Sequence, residues 1–209
     1  AMKEQIINYE TFIRVSNAIS HSKEPEEIAL MTVEGIKTAL AIKGCALFLL
    51  NSKTQELEVA SSYGLSEEYL NKGPVSALHS IAESLKDGPV AIFDVADDPR
   101  LQYPEEAQKE GIASILSVPI QLHGKLLGAL RVYSAEPWEF TLADVNFVSG
   151  LAQIAGMAID MARYSKGLMA SIEVLKSLRE AQRSRNTRKT PYEGVPKSFS
   201  PEEYYKQPY

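Results

Sequence analysis

The sequence predicts an α+β domain. Three observations predict it: two helical segments precede the strand region, an apolar hairpin closes that region over 111–133, and a capped long helix follows from Thr141. With 209 residues, 44% of them hydrophobic, the chain can bury a sizeable core.

Residues 3–40 read as two helices separated by His21-Ser22-Lys23-Glu24-Pro25. Pro25 suits the first turn of the second helix, and Ala29, Val33, Ile36 and Leu40 give that helix an apolar stripe. Residues 44–50 (GCALFLL) are apolar on both parities, as in a central strand covered on both faces. Residues 56–62 alternate, with Leu57 and Val59 inward and Glu56 and Glu58 outward. Segments 66–70 and 75–86 read as helical, with Ser66 as an N-cap. A third strand covers 90–95, and a short helix around 104–110 precedes Gly111. In the hairpin, Leu116, Val118, Ile120 and Leu122 share one parity, as do Leu126, Gly128, Leu130 and Val132. Gly124 supplies the positive φ of the turn, and Gly128, inside a strand, marks close approach of something else.

The last helix has two start signals. Thr141 and Asp144 have capping-box spacing, and Phe140 and Val145 occupy the positions of a hydrophobic staple. If helical to about Arg185, the segment is on the order of 65 Å long, beyond what a compact domain covers. Leu151, Ile154, Ala158, Met161, Ser165, Leu168, Ile172 and Leu175 follow steps of three and four, a heptad seam. The first half reads as core-facing. Leu168, Ile172, Leu175 and Leu178 lack intrachain cover and call for a second helix, predicting a homodimer with Ile6, Ile7 and Ile13 assisting. Residues 186–209 form a Pro/Tyr-rich tail whose composition does not fold alone.

Charge and composition narrow the function. A net charge of -5 weighs against nucleic acid as a partner. No run of about 18 apolar residues predicts a membrane span. The start lacks an apolar signal region, and the single cysteine forms no internal disulfide, so the expectation is a cytoplasmic protein.

Several short motifs occur in a definite order. They are Asp98-Pro99-Arg100-Leu101, Pro104, Glu110-Gly111-Ile112, Ser114 and Leu116; then Ser117-Val118-Pro119-Ile120, Gly124 with Gly128, and Val132-Tyr133-Ser134; then Phe140-Thr141, Asp144 and Leu151-Ala152. Over 26–163 this pattern resembles the GAF family. The resemblance implies a twisted antiparallel sheet of five or six strands, with the terminal helices on one face. Helices and loops on the other face would form a ligand pocket. Residues 1–25 are then an N-terminal helix, 26–163 a GAF-like sensory domain, 164–185 a helical extension with coiled-coil spacing, and 186–209 the tail.

The chemistry known in that family meets few matches. Cyclic-nucleotide-binding members carry an Asn-Lys pair where Ser134-Ala135 stand here, and Val145 replaces their glutamate. Phe140 and Asp144 match, but both already serve the helix start. Bilin-binding members need a reactive cysteine, whereas Cys45 lies in an apolar strand; free-methionine-sulfoxide reductases need at least two cysteines. His21, His79 and His123 have no metal-ligand spacing, and no G-x-S-x-G or phosphate-cradling loop occurs.

What remains is Arg131, in an otherwise apolar strand on the parity of Tyr133. A guanidinium inside a covered sheet needs an anionic or carbonyl partner. That partner is either internal, from Asp94, Asp97 or Asp98, or an acidic or polar ligand with Tyr63, Tyr103, Ser114 and His79 on the pocket walls. The sequence thus predicts a non-enzymatic, homodimeric sensory domain in signal transduction. It would bind an unknown small molecule, with no cofactor, and act on a downstream signalling protein. The competing expectation is a structural dimerisation module with a degenerate, filled pocket. Cyclic-nucleotide binding is the third.

Overall fold

The computed structural model describes residues 2–73, 75–76 and 88–186. Two compact units divide the chain, Ala1–Ser165 and Lys166–Tyr209.

The first unit opens with α1 (Met2–His21) and α2 (Pro25–Leu40). Pro25 occupies the first turn of α2, and Ala41 closes the helix in the left-handed region at φ 50°. The strands β1 (Gly44–Asn51), β2 (Glu56–Tyr63), β3 (Val75–Ser76), β4 (Val90–Ile92), β5 (Ser114–Leu122) and β6 (Lys125–Ser134) form one sheet, in the order β3-β2-β1-β6-β5-β4. Every adjacent pair is antiparallel. Among the described residues, two short helices, α3 (Glu67–Leu70) and α4 (Pro104–Lys109), interrupt the strand series, and α5 runs from Leu142 to Asn186.

The sheet is covered on both faces. Cys45, Leu47, Leu116, Val118, Leu130 and Val132 pack with the buried sides of α1 and α2 and with Phe147, Val148, Leu151 and Ile159 of α5. The opposite parity carries a second core of Ala46, Phe48, Ile115, Ala129 and Tyr133. Ile92 of β4 joins that core, and Tyr69, Ala107 and Ile112 cover it. Double coverage explains why β1 is apolar from Gly44 to Leu50.

Local devices fix the registers. His123 and Gly124 have φ of 51° and 74°, the two positive values a two-residue type I′ hairpin requires. A Cβ on Gly128 would collide with the Phe48 backbone carbonyl, so its close approach is to β1. At α5 the Thr141 backbone N–H and hydroxyl donate to Asp144 at 2.9 and 2.7 Å, and the Asp144 N–H donates to the Thr141 hydroxyl at 3.2 Å. Phe140 and Val145 pack against the helical-face core.

Three local expectations are corrected. Residues 75–76 pair with β2 as a strand rather than opening a helix; the rest of that predicted helix lies outside the described residues. Leu57 is buried but Val59 is 40% exposed, beside an irregularity opposite Leu47 and Phe48. A bulge between Ile120 and Gln121 rephases the hairpin, so Leu127 rather than Leu126 packs against the helical-face core.

In α5 an apolar window reaches a mean hydropathy of 1.4, enough on length and composition alone to cross a membrane. Within the first unit, however, Phe147, Val148, Leu151, Ala152, Ala155 and Ile159 spend that apolarity on the core. In the second unit, residues 166–181 of α5 are exposed throughout. The tail from residue 187 lies outside the described residues.

Candidate functional site

The hairpin register brings Arg131 opposite Ser117 of β5 and Ala46 of β1, in the centre of the second sheet face. Its side chain is 6% exposed. Nε donates to the Ser117 hydroxyl at 3.3 Å, and the guanidinium carbon stands 5.0 Å from the Phe48 ring centroid. Tyr133, two residues on, is buried against Tyr69 in an edge-on contact of 5.8 Å between centroids. Burial pushes the Tyr133 phenol up to about 12, while the Arg131 charge and hydrogen bonding with Arg131 and Tyr69 hold it back. Burial likewise pushes the Tyr69 phenol up, and its contact with Tyr133 adds to the rise.

No carboxylate pairs with Arg131 among the described residues. Asp94 is exposed and accepts the Ala96 backbone N–H at 2.9 Å as a turn residue. Asp98 is bound to Arg100 at 2.5 Å, and Asp97 is exposed. The internal aspartate partner is therefore absent from the described residues. A guanidinium removed from water without a counter-charge is costly, and a hydroxyl with an aromatic face compensates it only in part.

A clasp holds α3 over this face. Ser66 caps the helix by accepting the Tyr69 N–H at 3.1 Å. Its own N–H and hydroxyl donate to the Glu110 carboxylate, the former at 3.0 Å, and Lys43 pairs with Glu110 at 3.7 Å. Burial works to raise the Glu110 pKa, but the Ser66 hydrogen bonds and Lys43 outweigh it and hold the carboxyl below its ordinary value. Beside the clasp lies a cleft of about 320 Å³ whose lining includes Tyr69, Lys72, Glu106 and Lys109. A larger cleft of about 420 Å³, between the end of α2 and the stretch after β6, is lined by Lys43, Glu136 and Trp138 among others.

Of the predicted site residues, Arg131 and Tyr133 come together, and Tyr103 stands near Lys72, with the ammonium 5.9 Å from its ring. Tyr63 does not join them. It pairs with Cys45, on the helical face, and Lys37 of α2 lies 5.2 Å from its ring. Ser114 shares the parity of Leu116, also on the helical face, and donates to the Glu136 carbonyl at 2.9 Å to anchor the stretch after β6. His79 lies outside the described residues. Sequence reasoning missed Ser117, Phe48, Tyr69 and Lys72. Ser117 could be found by counting back from the turn, but only with the bulge at Leu127 included. Lys72 carried no signal beyond its place after a short helix.

Cys45 is fully buried among apolar neighbours, and desolvation pushes its thiol far above the ordinary range. It is not a thiolate at neutral pH. No cluster of metal-ligating side chains occurs among the described residues.

Comparison with known proteins gives the family. The GAF domain family model matches residues 22–160, and the chain belongs to that family, which occurs in signalling and regulatory proteins. No curated protein matches the chain. Among solved structures, the GAF domain of the Acinetobacter phosphoenolpyruvate-protein phosphotransferase is similar at 22% identity and a TM-score of 0.66, over 75% of this chain and 94% of that one. The corresponding domain from Coxiella burnetii is similar at 20% identity and 0.70, over 78% and 98%. The free methionine-R-sulfoxide reductase of Neisseria meningitidis is similar at 18% identity and 0.64, over 76% and 91%. At these identities the likeness establishes the fold.

Proposed function

We propose that this GAF domain is a non-enzymatic sensory or regulatory module in signal transduction. It binds a small ligand with an anionic group through Arg131 and couples occupancy to a homodimer built along α5. The observation that carries the reading is the Arg131 guanidinium, buried without a carboxylate partner among the described residues. An anionic ligand would supply the missing counter-charge through short, charge-assisted hydrogen bonds. The non-enzymatic part rests on Cys45, the only thiol, being buried and neutral. That single thiol also accords with a cytoplasmic setting.

The dimer is supported by spacing and exposure. Leu168, Ile172, Leu175 and Leu178 are all exposed, although a helix bearing this apolar stripe gains stability chiefly by covering it. Ile172 and Leu175 fit the β-branched and leucine positions of a two-stranded parallel seam. A downstream signalling protein would read the helix.

One observation favours the competing structural module: Tyr69, Tyr133 and Phe48 crowd the space around Arg131, as a filled pocket would. Cyclic-nucleotide binding has less support, because Asp144 caps α5 and Phe140 packs in the core. Native mass spectrometry of the full chain purified from cells separates these readings. The sensor reading expects twice the 23.1 kDa chain mass plus a bound small molecule, which Arg131→Met loses while remaining a dimer. A bare wild-type dimer, unmoved in melting temperature by any added anion, would select the structural module.

A further inference from the structure

Among the described residues, Arg131 is not the only cation on this face without an ion-pair partner. Lys72 follows α3, and its ammonium lies 3.6 Å from the centroid of the Tyr69 ring. It donates to the Tyr69 backbone carbonyl at 2.9 Å. No carboxylate comes within ion-pair distance of it among the described residues. Glu110 is engaged by Ser66 and Lys43, and Glu106 acts only from farther away. Burial first, and then repulsion from Arg131, lower the Lys72 ammonium to about 8 against the pull of Glu106 and Glu110.

Tyr69 links the two cations. Lys72 covers its ring, while the edge-on contact with Tyr133 carries the chain of contacts on to Arg131. Lys72 also lines the 320 Å³ cleft, together with Lys109 and the carboxylates Glu68, Glu106 and Glu110. The Arg131 charge disfavours the charged form of Lys72, and neither cation has an ion pair among the described residues. A monoanion would compensate only one of them.

We propose that Lys72 is a second cationic anchor of the Arg131 site and that the ligand is a small organic dianion, a dicarboxylate or a phosphate monoester. A dicarboxylate would set one carboxylate at Arg131 and the other at Lys72, on either side of Tyr69, whereas a phosphate monoester, with both charges on one phosphoryl group, would have to meet both cations from a single position. The proposal rests on the reading of Arg131 as a ligand anchor and adds the charge of the ligand to it.

The test is titration calorimetry of the full chain with acetate, succinate and glycerol 3-phosphate at matched ionic strength and pH 7. Wild type is expected to bind one of the dianions at least about tenfold more tightly than acetate. Succinate alone would assign a dicarboxylate, and glycerol 3-phosphate alone a phosphate ester. Lys72→Met should remove that preference, whereas Lys72→Arg should keep it. Arg131→Met should abolish binding of all three. Equal dianion affinity in wild type and Lys72→Met would overturn the second anchor and leave the Arg131 reading intact. Absence of binding by every anion to wild type would overturn both.

Discussion

Replacing Arg131 by methionine tests whether the buried charge is a scaffold element or a ligand anchor. Methionine keeps the stem of the side chain and removes the guanidinium. The loss comprises charged hydrogen bonding to Ser117 at 3.3 Å and to Tyr133, about 1.5 kcal/mol each, and a cation–π contact of about 1 kcal/mol with Phe48. The gain is relief from desolvating a cation without a partner, a cost of several kcal/mol. These terms offset, so the ligand-free variant is expected to unfold within about 1 kcal/mol of wild type. For a chain of this size that is a shift of roughly 2–4 °C. Breaking an internal ion pair would instead cost about 3–5 kcal/mol, or roughly 6–20 °C. Urea unfolding of both proteins, freed of ligand by refolding, reads the difference directly. A loss of 3 kcal/mol or more would mean that Arg131 holds an internal anion, and the ligand argument would lose its basis.

Lys72 gives a pH signature. It faces Arg131, Glu106, Glu110 and the rings of Tyr69 and Tyr103, and its pKa falls from 10.5 to about 8 on folding. Between these values the unfolded chain binds more protons, so the Lys72 contribution makes stability rise with pH from about 8 to 10.5 and is most unfavourable below 8. Lys72→Met should therefore flatten that rise in thermal melts and melt above wild type at pH 7. Gly128→Ala would drive a Cβ into the Phe48 carbonyl and should cost about 1–3 kcal/mol in urea unfolding; a neutral result would refute the close packing of β6 on β1. Ile172→Glu with Leu175→Glu should halve the mass seen by light scattering while leaving the melting transition of the sheet in place. A wild-type mass of 23.1 kDa at micromolar concentration would remove the dimer.

Most of the fold was legible because its determinants are local. Pro25, Ser66, Gly124 and the Thr141–Asp144 box each act within a few residues, and the structure places an element boundary at each of them. Where the sequence reading failed, the determinant was non-local. The strand at 75–76 exists because β2 offers an edge, not because two residues favour extension. Val59 has the alternation of an inward residue, yet inwardness depends on what covers that end of the sheet.

The site was legible only in its centre, for the same reason. Arg131 announces itself because a cation in an apolar strand contradicts its surroundings, and that contradiction is visible in one dimension. Its walls are another matter, since parity assigns a face only within an unbroken register. The bulge at Leu127 decides that Ser117, rather than Leu116, lies across from Arg131. The resemblance and the buried cation put Tyr63 and Ser114 on the pocket walls, whereas the pleat turns both to the helical face. Lys72 looks in sequence like any lysine in a turn. Only the clasp of Ser66 on Glu110, 44 residues apart in the chain, brings α3 over the sheet and sets that ammonium within reach of Arg131's charge. The proposed pairing of Lys72 with Arg131 therefore depends on Glu110 as much as on the cations themselves: without that carboxylate, α3 loses the Ser66 hydrogen bonds that clasp it, and the Lys72 ammonium is expected to become more exposed.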